Sequence, residues 1–109
     1  MEVQIRFQGL EQSEPLREQA TALVQTHLGR FRSELTHVEV LVGRRNGGSR
    51  PEETRYQITV SGPRLPSTVV DHRGLNAALA LASAIERTAR AVVHDLGRAR
   101  SREVARRTV

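Results

Sequence analysis

Residues 36–61 read THVEVLVGRRNGGSRPEETRYQITVS. Two runs within it have a period of two. Val38, Val40 and Val42 alternate with Glu39 and Leu41, and Tyr56, Ile58 and Val60 alternate with Arg55, Gln57 and Thr59. Successive side chains of a strand point to opposite faces, so each run buries one side and leaves the other in water. The intervening GRRNGGSRPEE has three glycines and a proline, carries Arg44, Arg45 and Arg50, and holds no apolar anchor. It reads as a long, mobile hairpin loop and not as a phosphate cradle. A hairpin with a single apolar face needs other elements to cover that face, and the rest of the chain supplies them.

Upstream, EVQIRFQ at 2–8 places Val3, Ile5 and Phe7 on one side and Gln4, Arg6 and Gln8 on the other, which makes a first half-buried strand. Ser13 can cap a helix whose first turn accepts Pro15. Leu16, Ala20, Leu23, His27 and Phe31 then recur at helical spacing, so the first helix is expected from about Ser13 to Arg32. Downstream, the turn SGPRLP leads to a short strand around Ser67 to Asp71, weakened by Pro63 and Pro66 and therefore placed at an edge. LNAALALASAIERTARAVVHDLG, residues 75–97, is alanine-rich and free of proline, and reads as a long second helix.

The order is thus β-α-β-β-β-α. A strand–helix–strand unit closes as a right-handed crossover, which makes the first two strands parallel and puts the helix on one face. Both helices have an apolar stripe and the sheet has one apolar face to receive them. The expected fold is α+β, a two-layer sandwich with a four-stranded sheet and both helices on the same face. The chain divides into a body at 1–97 and a basic tail at 98–109, where RARSREVARRTV holds five arginines and one glutamate.

At 109 residues there is room for one modest core. The 17 basic residues are all arginine, set against 12 acidic ones, for a formal net charge of +5. Such an excess, concentrated at one end, points to an acidic partner. With no cysteine there is neither a disulfide framework nor a thiolate metal site. The opening residues lack the form of a signal peptide and no apolar run approaches membrane length, so the expected compartment is the cytoplasm, without membrane contact. Asp71 and His72 are neighbours in one strand and point apart, while His37, His72 and His94 lack metal-ligand spacing. No enzyme activity, metal, cofactor or small-molecule substrate is expected.

The chemistry-bearing feature is ERTARAVVHDLGRARSR, residues 86–102. At about 100° per residue, Leu75, Ala78, Leu81, Ile85, Ala89, Val92 and Leu96 fall in one arc that packs on the sheet. Arg87, Arg90, His94 and Arg98 then form one stripe opposite, extended by Asn76 and Ser83. Glu86 and Asp95 lie to its sides, so the stripe carries no interleaved acid and lacks the ion-pair lacing of a helix built merely for solubility. It is either a solvated helix back or a surface that holds something negative. Sheet-face RNA reading needs aromatics on the open face, whereas Phe7 and Tyr56 follow the buried alternation.

The order of elements and several segments resemble the short ribosome hibernation promoting factors and the related ribosome-associated inhibitors, once described as sigma modulation proteins. The points of likeness are VQIRFQGLEQSEPLREQA with its Ser-x-x-Leu-Arg-Glu helix start, HVEVLV after a helix ending in GRF, and LNAALALASAIERTARAV with the paired Ala77 and Ala78. The chain departs from the family at Gly74, Asn76 and Ala80, where acidic and tyrosine residues are usual, and the dimerising domain of the long members is not expected in it. The resemblance implies binding in the small-subunit groove where messenger and transfer RNAs sit, with translation blocked by occlusion. It assigns RNA phosphate contacts to Arg87, Arg90 and Arg98, with His94 on the same stripe and Arg30 and Arg32 as lesser candidates. Such contacts position through charge without reading sequence. The alternative is a diverged relative that keeps the sandwich and uses the helix face for an acidic protein.

Overall fold

The computed structural model describes residues 1–44, 54–74 and 77–107. Its elements are β1 (Glu2–Gln8), α1 (Glu14–Leu28), a single 3-10 turn (Gly29–Phe31), β2 (His37–Arg44), β3 (Thr54–Gly62), β4 (Leu65–Gly74) and α2 (Ala77–Arg107). The sheet order is β1-β2-β3-β4, with β1 parallel to β2 and the other pairs antiparallel. Both helices cover one face, as the single apolar side requires.

The register carries that side straight across the sheet. Ile5 lies beside Val40, Val40 beside Ile58 and Ile58 beside Val70; in the next row Phe7, Val42, Tyr56 and His72 are aligned. Val38, Val40, Val42, Tyr56, Ile58 and Val60 are buried. Burial pushes the Tyr56 phenol up to about 12. The opposite face is laced by exposed contacts, the ion pairs Arg6–Glu39 at 3.8 Å and Arg55–Asp71 at 2.8 Å and the approach of His37 Nε2 to the Glu2 carboxylate at 3.0 Å. That lacing suits a face left in water.

Ser13 caps α1, its hydroxyl accepting from the Leu16 N–H at 3.3 Å. The buried line of α1 is Ala20, Val24 and Leu28, whereas the expected Leu16, Leu23, His27 and Phe31 are only half-buried. The small Ala20 lets the helix approach the sheet closely, and the larger groups close the flanks. On α2 the buried set is Ala80, Leu81, Ala84, Ile85, Thr88, Ala89, Val92 and Leu96. Ala78, expected in the arc, is exposed, and Leu75 and Asn76 lie outside the described residues. Thr88 tolerates full burial because its hydroxyl donates to the Ala84 carbonyl at 2.8 Å.

Two elements run longer than their sequence signals. Strand β4 covers Leu65–Gly74: Pro63 sits in the tight turn between Gly62 and Leu65, outside the ladder, and Pro66 lies within the strand, which is at the sheet edge, where proline is tolerated. Gly62 is required there: a Cβ would collide with the Glu34 carbonyl, which packs against this strand end. Helix α2 continues past Gly97 to Arg107, 31 residues in all, so Arg98–Arg107 are helical turns continuous with the body. The hairpin loop expected at 43–53 lies almost wholly outside the described residues.

Candidate functional site

The long helix sets out its cations by periodicity alone. Arg87, Arg90, His94 and Arg98 are all exposed, and because α2 does not stop at Gly97, Arg102 extends the same row at i+4. From Arg87 to Arg102 the row is about 22 Å long at 1.5 Å per residue. The helix packs on the sheet through Leu81, Ile85, Val92 and Leu96, which holds the row away from the core on a rigid support.

Local electrostatics divides these residues. The Nη1 of Arg87 lies 3.1 Å from His72 Nδ1, within hydrogen-bond distance. Among the described residues, Arg90, Arg98 and Arg102 form no ion pair. Two of the helix's acids are occupied elsewhere. Asp95 accepts from the Thr68 hydroxyl at 2.8 Å and Glu103 pairs with Arg64 at 3.4 Å. Arg100, off the row, reaches Glu34 at 3.8 Å. Asp95 and Glu103 are thus drawn towards β4 and the β3–β4 turn; the third acid of α2, Glu86, is exposed one turn before Arg90 and forms no ion pair among the described residues, which leaves a row of excess positive charge.

Arg30 and Arg32 are exposed at the end of α1 but turn to their own segment. Arg30 stacks over the Phe31 ring at 4.6 Å and Arg32 Nε donates to the Gly29 carbonyl at 3.4 Å. No described contact joins them to the row. Asp71 and His72 point apart: Asp71 meets Arg55 on the open face and His72 meets Arg87 on the helix side. The Arg55 hydrogen bond holds the Asp71 carboxyl below the usual carboxylate range. The sequence reading missed Arg102 as a row member and Arg87's tie to His72. The first was legible in the i+4 spacing, while the second needs the β4 register.

No helix among the described residues is long and apolar enough to cross a membrane. No family model and no curated protein sequence matches the chain. Among solved structures, the chain is similar to the N-terminal domain of Protein Y from Thermus thermophilus, with a TM-score of 0.69 and 17% identity over 84% of this chain and 96% of that one. It is also similar to a ribosomal subunit interface protein from Coxiella burnetii, with a TM-score of 0.67 and 15% identity over 86% of this chain and 96% of that one. At these identities the likeness is one of fold.

Proposed function

We propose that the chain is a ribosome-associated factor that holds small-subunit ribosomal RNA through the exposed row of α2 and blocks translation by occupying the groove for messenger and transfer RNA. The observation that carries this reading is the uncompensated run Arg90, His94, Arg98 and Arg102 on a rigid helix, in a fold shared with a ribosomal subunit interface protein. Guanidinium groups bind phosphate through a planar fork and stay charged at every physiological pH, which suits a surface that grips backbone without reading bases. The part played is steric, with no reaction and no cofactor. Cytoplasmic residence follows from a ribosomal partner.

Cosedimentation with ribosomal subunits at rising salt tests the reading. The chain is expected to pellet with small subunits at low salt and to be released steeply as salt rises, because counterion release drives phosphate binding. A chain that stays in the supernatant at low salt refutes it. Retention that is indifferent to salt also counts against it, since contacts made by arginine to phosphate weaken as salt rises.

A further inference from the structure

Gly97 stands beside the cationic row, on the neighbouring line of α2 with Val93 and Ser101, and nothing in the fold asks for a glycine there. Glycine weakens a helix interior relative to alanine. A Cβ at this position would meet no atom within 4 Å. Among the described residues only Gly9 has a positive φ, so the backbone at Gly97 is one that any residue adopts. It is not a helix stop either, since α2 continues to Arg107. The bare backbone leaves a shallow notch lined by Val93, His94, Arg98, Ser101 and Arg102. Its floor is satisfied, with the Ser101 hydroxyl donating to the Gly97 carbonyl at 3.1 Å. No acid lines it.

We propose that this notch is the point where one sugar-phosphate unit of RNA comes closest to the α2 backbone, its phosphate gripped by Arg98 and Arg102. The proposal rests on the RNA-facing reading of the row and adds to it a specific seat. Glycine is the residue that lets a ligand approach backbone most closely. The two guanidinium groups supply the fork geometry that phosphate takes, and Val93, 48% exposed, offers the sugar an apolar wall. A second copy of the chain does not fit the notch, because a twofold contact would set Arg98 and Arg102 against their own equivalents.

The test uses the full chain with Gly97→Ala and Gly97→Leu. Alanine and leucine are both better helix formers than glycine, so both variants are expected to melt a few degrees higher than the wild type. Small-subunit binding is expected to move the other way, slightly weaker for alanine and about tenfold or more weaker for leucine, a loss of at least about 1.4 kcal/mol. The dependence of binding on salt stays unchanged, because no charge has been removed; Arg98→Gln, by contrast, flattens it. Gly97→Leu binding as tightly as a wild type that itself binds overturns the notch and leaves the row standing. Weaker binding with a flattened salt dependence also overturns it, since the leucine has then displaced an arginine and not an RNA unit. A wild type that binds no subunit overturns both the notch and the row.

Discussion

Replacing Arg90, Arg98 and Arg102 together by glutamine separates a binding surface from a solvated helix back. All three are exposed and none has an ion-pair partner among the described residues, so the fold loses no contact when their charges go. Glutamine keeps a long side chain and good helix propensity, which limits the change in unfolding free energy to about 0.5 kcal/mol. Arg87 is left in place because it supports His72, and removing it would mix a structural effect with an electrostatic one. If each of the three arginines meets one phosphate, the slope of log K against log salt falls by about 0.7 to 0.9 per phosphate, roughly 2 to 3 in all. The assay is cosedimentation with small subunits from low to high salt, run beside chemical denaturation of the same variant. A variant that is equally stable and binds with an unchanged slope refutes the reasoning and returns the row to solvent.

Further expectations concern the scaffold. Ile85→Ala removes three carbons from a fully buried site under the sheet and is expected to cost about 2 to 5 kcal/mol in denaturant unfolding, against almost nothing for Arg90→Ala. Tyr56 is the only tyrosine, so its ionisation can be followed directly by phenolate absorbance. Its folded value lies above its unfolded one, so the associated stability is complete below pH ~10 and lost as pH rises towards about 12; Tyr56→Phe removes that alkaline loss. Asp71 is the opposite case. Its carboxyl titrates below the ordinary range, giving a small, screened stabilisation that is present above that range and fades as pH falls through the folded value. An NMR titration should show the Asp71 value return towards normal in Arg55→Gln.

The sheet was legible because its information is local. Val38, Val40 and Val42 against Tyr56, Ile58 and Val60 declare one face by alternation, and the observed pairing of Val40 with Ile58 follows from keeping that face continuous. The face of α1 was less legible. Its buried line runs through Ala20, and a reading weighted by side-chain size leans towards Leu23 and Phe31, which close the flank. Helix ends were least legible. Gly97 looks like a stop, but a glycine stop works through a left-handed cap, and here the helical backbone simply continues into Arg98 and Ala99. Within the candidate site, the exposure of Arg90, His94 and Arg98 follows from periodicity, whereas the engagement of Arg87 depends on His72 arriving from a strand 15 residues away in sequence.

Removing residues 98–109 tests how the basic end relates to the body. Every residue of the buried core lies at or before Leu96, so truncation after Gly97 takes nothing out of the packed layer. Among the described contacts, it removes the half-buried Ala99, the hydrogen bond from Ser101 to the Gly97 carbonyl and two ion pairs, Glu103 with Arg64 and Arg100 with Glu34, all at or near the surface. Exposed pairs of this kind contribute from nothing to about 1 kcal/mol each, so the shortened chain should stay folded and cooperative at a cost of no more than about 2 kcal/mol. Its binding should suffer far more, because Arg98 and Arg102 leave the row together with most of the net charge of the C-terminal end. Denaturant unfolding and salt-dependent cosedimentation of the same truncated chain give the two numbers. A shortened chain that no longer unfolds cooperatively would place the last turns of α2 within the body; one that folds and still binds small subunits with full affinity would move the contact N-terminal to Gly97, onto Arg87 and Arg90.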